Sequence, residues 1–280
     1  MYVKSSALKY ILLVIITLLN LLLINSVIAQ ESQENPFASL NWQLGPKEVT
    51  IANKAKLFIP EGFGFLDVKD TDKFLEALHN LPTGRDYLIV PENDNWFATF
   101  SFDPIGYVKD NEKIDPDSII STVKSATKEA NKEKKRRGWG TMTITGWRFE
   151  PQYDRTTKLL EWAINAKDDE SGETGVNYNT RILGREGVMQ VILVDSAEKL
   201  DQSVAILKDI LKRFEYLPGQ KYAEYKKGDK IAEYGLAALI AGGTAAAVAK
   251  SGFGKAIWKF LVVGVAALFA GLKSLFKRKA

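Results

Sequence analysis

The sequence predicts an α+β fold, in which an antiparallel sheet covered by helices forms an exported domain and one or more C-terminal membrane helices follow. Three observations lead there. Strand-like stretches succeed one another at 141–149, 157–166, 175–183 and 187–195, separated by turns rich in Asp, Gly and Ser such as KDDESGETG. An amphipathic stretch, 197–214, comes directly after them and carries Leu200, Val204, Leu207, Ile210, Leu211 and Phe214 on one stripe. Both ends of the chain are far more apolar than its middle. Consecutive strands with tight turns, closed by a helix, favour an antiparallel sheet covered on one face.

At the start, Lys4 and Lys9 precede an apolar run over 11–24, and Val27 and Ala29 supply small residues before Gln30. This is the three-part pattern of a secretory signal peptide over 1–29, with an uncleaved anchor as the alternative. Residues 30–218 are then the exported domain. Within it, 56–59 reads as a strand closed by Pro60 and the flexible Gly62 and Gly64. Thr71 or Asp72 is placed to cap a short helix through Leu78. WFATFSF (96–102) alternates Trp96, Ala98, Phe100 and Phe102 on one face, an antiparallel strand signal. Pro116, following Asp115, opens a helix that runs to about Arg137 and stops at Gly138. The strand at 187–195 is apolar on both faces and so is expected in the centre of the sheet. Ser196 is placed to cap the helix that follows.

Residues 219–234 form a polar connector, and 235–280 a C-terminal anchor with a basic tail. The first apolar part, 235–249, repeats Ala237, Ala241, Ala245 and Ala249 at the four-residue spacing that lets helices approach closely, a route to a homo-oligomer. After KSGFGK the segment 257–272 is apolar again, and Lys273, Lys277, Arg278 and Lys279 flank it. Such a flank marks the cytoplasmic side of a membrane helix. One span over about 256–272 leaves the main domain outside the cell membrane and the tail inside; a two-helix hairpin is the alternative.

The composition narrows the chemistry. The 280 residues are 46% hydrophobic and 26% charged, with a net charge of only +4, which gives no reason to expect a nucleic-acid partner. Cysteine is absent, which excludes disulfides and thiol catalysis, and the one histidine, His79, sits at a predicted helix end. Phosphate-loop, nucleophile-elbow and HExxH patterns are missing. No cofactor and no metal site is expected: the acidic stretch 103–117 lacks the spacing and glycine of a calcium loop.

NYNTRILGRE (177–186) poses the functional question. As a strand it places Asn177, Asn179, Arg181, Leu183 and Arg185 on one face, and Tyr178, Thr180 and Ile182 on the other. On the preceding strand Leu160, Trp162 and Ile164 belong to the core, and Glu161 lies on the polar face within reach of Arg181 or Arg185. Asn179, Arg181, Arg185 and Glu161 are therefore either a structural ladder or a binding face for an anion or a partner peptide. Glu150 with Asp154, or Asp110 with Asp115, are the carboxylates available for acid–base chemistry. The basic helical end 128–138 reads as a solvated face, with lipid headgroups as its functional alternative.

GYVKD (106–110), GWRFEPQYD (146–154), LEWA (160–163), NYNTRILGREG (177–187) and the stretch 222–243 resemble a family of uncharacterised bacterial membrane-anchored proteins, domain of unknown function 2167. The resemblance covers nearly everything after Asn41. It implies membrane anchoring and supplies no catalytic residues. PEGF (60–63) and LKRFEY (211–216) also look similar to the opening and closing of small exported α/β sandwiches. The expectation is a membrane-anchored cell-envelope protein, an interaction or scaffold module and not an enzyme. It contacts the lipid bilayer and a protein or envelope partner. A membrane-tethered hydrolase using carboxylates and an anion- or lipid-binding module are the alternatives.

Overall fold

A computed structural model describes residues 37–241, which belong to the compact unit Pro36–Ala280. The predicted signal peptide, the span around 256–272 and the basic flank Lys273, Lys277, Arg278 and Lys279 lie outside the described residues.

Among the described residues, eleven strands and four α-helices follow one another. In order they are β1 (Gln43–Leu44), β2 (Lys47–Ile51), β3 (Ala55–Ile59), β4 (Phe63–Leu66), α1 (Val68–Ala77), β5 (Tyr87–Pro91) and β6 (Phe97–Asp103). Then come α2 (Pro116–Arg136), β7 (Met142–Asp154), β8 (Leu159–Asp168), β9 (Thr174–Leu183), β10 (Val188–Ser196), α3 (Leu200–Leu211), β11 (Phe214–Tyr216) and α4 (Leu236–Ala241). Eight strands form one antiparallel sheet in the order β1-β4-β5-β6-β10-β9-β8-β7, and β11-β3-β2 form a second. The α+β class and the four successive strands follow the expectation. So does the central position of β10, which pairs β6 on one side and β9 on the other.

The pleat sorts side chains to two buried faces. On one, Ala98, Phe100 and Phe102 meet Met189, Val191 and Leu193, beneath Leu57 and Ile59 of the small sheet and Leu207 and Ile210 of α3. The opposite face carries two separate apolar clusters. One sits under α1, where Phe74 and Leu75 cover Leu66, Leu88 and Phe97. The other gathers Ile119 and Val123 of α2 with Ile144, Leu160 and Trp162, and is completed by Leu236, Leu239 and Ile240 of α4. The sheet is thus covered on both faces, not one. Between the two clusters runs a buried polar band of Thr99, Ser101, Asn177, Asn179, Arg181 and Gln190.

Two helix starts differ from the expected ones. α1 begins at Val68 and is capped by Asp67, whose carboxylate accepts from the Asp70 amide, because β4 leads straight into it; Thr71 is instead buried within the first turns. Ser196 ends β10 and caps nothing. Buried Asp195 accepts from the Ser196 amide and from the Ser203 hydroxyl, and α3 starts only at Leu200. Phe214 leaves the helical stripe because it pairs with Leu57 as a strand. α2 matches its signals, with Asp115 accepting from the Ser118 amide and Gly138 taking a left-handed conformation at the end.

Lys134, on α2, is only 5% exposed, and burial pulls its pKa down to about 8 against the weaker upward pull of Asp168. A lysine whose folded pKa lies below the 10.5 of the free side chain weakens the fold while it is charged. Lys134→Met should therefore raise unfolding stability at pH 7 by about 1–3 kcal/mol. Denaturant titrations should show that gain shrinking from pH 8 toward pH 10.5.

The segment 219–234 is fastened to the domain. Arg185 donates two hydrogen bonds of 2.7 Å to Asp229, and its amide donates to the Gln220 carbonyl. The Tyr107 amide donates to Lys230 O, the Ala232 amide donates to Tyr107 O, and the Tyr222 hydroxyl donates to Val108 O. A side chain on Gly106 would press to 2.7 Å from the Lys230 carbonyl, so the close approach requires glycine there. The strap ends at α4, the first six residues of the small-residue segment to lie in a helix. No helix among the described residues is long and apolar enough to cross a membrane.

Candidate functional site

Strand register decides where the predicted site residues go. Opposite partners share a face, and β8 pairs with β9 so that Leu160 faces Arg181 and Glu161 faces Thr180. Glu161 and Arg181 therefore lie on opposite sides of the sheet, and the expected ladder between them does not form.

Glu161 points to the side of Tyr178. It accepts a 2.6 Å hydrogen bond from the Tyr178 hydroxyl and pairs with the Lys208 ammonium of α3 at 2.8 Å. Lys208 also stands 5.9 Å from the Tyr178 ring centroid. Burial, reinforced by the Glu161 carboxylate, pushes the Tyr178 hydroxyl far above its ordinary pKa, so it serves as a donor. Glu161 and Lys208 line an open cleft of about 520 Å³ between the β7–β8 hairpin and the end of α3 with β11, with Tyr178 buried behind them. Its apolar lining comes from Leu159, Ile182, Leu211 and Phe214, and Lys212 adds a second cation. The arrangement offers an apolar slot with two anionic groups, Asp154 and Glu161, and two cationic ones, suited to holding a partner segment.

Arg181 is 4% exposed and lies in the polar band. Its guanidinium lies 4.8 Å from the Trp162 ring centroid, one nitrogen donates to the carbonyl of Thr180, and Nε has no partner. Burial lowers its pKa to about 9, with Asp103 opposing that shift. Asn179 is equally enclosed and donates to Asn177 O at 3.0 Å. Arg185 holds the strap through Asp229, whose hydrogen bonds raise the arginine's pKa. The four residues are thus divided among cleft, polar band and strap.

The carboxylate candidates are equally dispersed. Asp110 accepts from Lys158 at 2.8 Å and from the Tyr153 hydroxyl at 2.9 Å; burial opposes its ionisation, but these bonds prevail and hold its pKa low. Asp115 caps α2. Asp154 accepts from the amides of Thr156 and Thr157 in the β7–β8 turn, which lowers its pKa, and Glu150 is exposed on β7. No three His, Cys, Asp or Glu side chains converge for a metal among the described residues. His79 stacks on Trp139. The sequence alone places Tyr178 on the face away from Arg181 but gives it no role, and it does not single out Lys208.

Fold and cleft together define an antiparallel α+β domain of two sheets with an open amphipathic slot at one end of the larger sheet. The chain belongs to the family described as protein of unknown function (DUF2167), which matches residues 43–273. No curated protein matches it. Among solved structures, it is distantly similar to cyanobacterial PsbP (CyanoP) from Synechocystis sp. PCC 6803, with 8% identity and a TM-score of 0.36 over 61% of this chain and 92% of that one. It is also similar to the Saccharomyces cerevisiae Ran-binding protein Mog1p, with 10% identity and a TM-score of 0.32 over 66% of this chain and all of that one.

Proposed function

We propose that this protein is a membrane-anchored module of the cell envelope whose exported domain binds a partner protein in the cleft between the β7–β8 hairpin and α3. The observation that carries the reading is the cleft itself, an apolar slot lined by the Glu161–Lys208 pair, which buried Tyr178 braces from behind. Leu159, Ile182, Leu211 and Phe214 supply apolar contact, while Asp154, Glu161, Lys208 and Lys212 select for charge. Attachment to the membrane is supported by the sequence, through the apolar stretches after Gly235 and the basic residues that follow them.

A photo-crosslinking side chain in place of Phe214 tests it in intact cells. The expected result is an adduct with one other envelope protein, reduced at least ten-fold by Lys208→Glu in a variant that melts like the parent. The same adducts from a crosslinker at exposed Glu170, or none from Phe214, would refute the cleft as the binding site. A self-adduct would make the partner a second copy of this chain.

A further inference from the structure

We propose that the strap between β11 and α4 forms a lipid-headgroup docking face, which holds the exported domain against an anionic membrane surface instead of leaving it on a free tether. The inference rests on the membrane attachment proposed above and assigns a second surface, separate from the cleft.

Tyr225 and Ile231 are the exposed large hydrophobic residues among those described, at 39% and 37%. Both converge on one residue. Tyr225 lies against the Tyr107 ring with centroids 4.4 Å apart, and Ile231 bridges the Tyr107 backbone. Tyr222 stacks on Tyr107 from the same strap, so the patch is an aromatic cluster with an aliphatic neighbour. Amphipathic aromatic rings of this kind favour the membrane–water interface.

Lys226, Lys227 and Lys230 lie between Tyr225 and Ile231, all exposed and without an ion pair among the described residues. Of the acidic residues around them, Asp229 is neutralised by Arg185 and Glu224 accepts from the Lys221 amide, which leaves exposed Glu233 against three lysines. A row of unneutralised lysines beside exposed apolar groups matches the charge of anionic headgroups.

Position supplies the third argument. Only four residues separate Ile231 from the start of α4, which lies in the apolar segment 235–249. The strap is held by Arg185–Asp229 and by both bonds to Tyr107, so the patch is fixed to the domain a few residues before α4. A chain entering a bilayer after α4 brings this face to its surface.

The chain has no cysteine, so single nitroxide labels are clean. Tyr225→Cys, Ile231→Cys and Glu170→Cys would be labelled in the full protein and reconstituted into phosphatidylethanolamine–phosphatidylglycerol vesicles containing a nickel-chelating lipid. Glu170 sits in the β8–β9 turn, about 30 Å along the strands from the end of the hairpin near the strap. Headgroup nickel should relax the labels at 225 and 231 at least three-fold more than the label at 170. Replacing Lys226, Lys227 and Lys230 together by Gln should remove most of that difference. Equal relaxation at all three sites in protein that floats with the vesicles would overturn the docking face, as would an unchanged difference in the Gln variant. Protein that fails to float would instead overturn the membrane attachment on which the inference rests.

Discussion

Arg181→Ala should lower the unfolding free energy by about 3–5 kcal/mol, while Arg181→Met should cost about 1 kcal/mol or less. The guanidinium is enclosed in the polar band, lies against Trp162, and has an unpaired Nε. Its charge is already costly there, as the pKa of about 9 reflects. Alanine removes the stem that packs on the indole and opens a cavity beside it. Methionine keeps much of that volume and removes the desolvated charge. Denaturant titrations followed by tryptophan fluorescence would separate the two. Equal losses in both variants would mean that the charge itself is needed to balance Asp86 and Asp103.

Asp86 gives the same band a pH signature. It is 2% exposed, and burial raises its pKa above the ordinary 3.8 despite hydrogen bonds from Thr83 and Ser101. A carboxyl whose folded pKa is raised weakens the fold as pH climbs above the unfolded value, because the folded state must then release a proton it retains more firmly. Asp86→Asn should thus raise the melting temperature at pH 7 by about 2–4 °C and leave it unchanged below pH 3.8.

The legible parts of this fold were those written in local signals. Asp115-Pro116 at the start of α2, Gly138 past its end, and the alternation of Ala98, Phe100 and Phe102 each declare an element without reference to distant residues. Register is not local. Which face Glu161 shares with Tyr178 depends on how the 169–173 turn aligns β8 and β9, and a shift by one would have exchanged it for Leu160. Asn177, Asn179 and Arg181 read as a wet face because of their chemistry. They are buried because α1 and α2 with α4 cover the two ends of that face and leave the polar residues enclosed between them. Phe214 fitted the helical stripe of α3, and only its pairing with Leu57, more than 150 positions away, turned it into a strand. The cleft is assembled from β7, β8, β9, α3 and β11, so no contiguous motif could have announced it.

Tyr216 is where that long-range assembly should be most fragile. Its hydroxyl accepts from the Met189 amide at 2.8 Å and donates to the Ile182 carbonyl at 2.7 Å, tying β11 of the small sheet to β10 and β9 of the large one. Tyr216→Phe removes both of these buried hydrogen bonds and should cost about 1–3 kcal/mol. Tyr216→Ala adds the loss of the ring and should cost about 4–5 kcal/mol. The ring also lies against Gly184, where an added side-chain carbon would meet it at 2.7 Å. Gly184→Ala should therefore be damaging alone and much less so beside Tyr216→Leu, with a coupling of about 1 kcal/mol or more in a double-mutant cycle. The consequences should be local before they are global. Phe214 lines the cleft two residues before Tyr216, and the strap begins just after it, so one hydroxyl anchors a wall of the first site and the root of the second. Hydrogen exchange on Tyr216→Phe should accelerate at 214–224 while α2 and β8 keep their protection. Uniform acceleration would mean that the two sheets unfold as one unit, and that the cleft and the strap do not loosen separately from the rest of the domain.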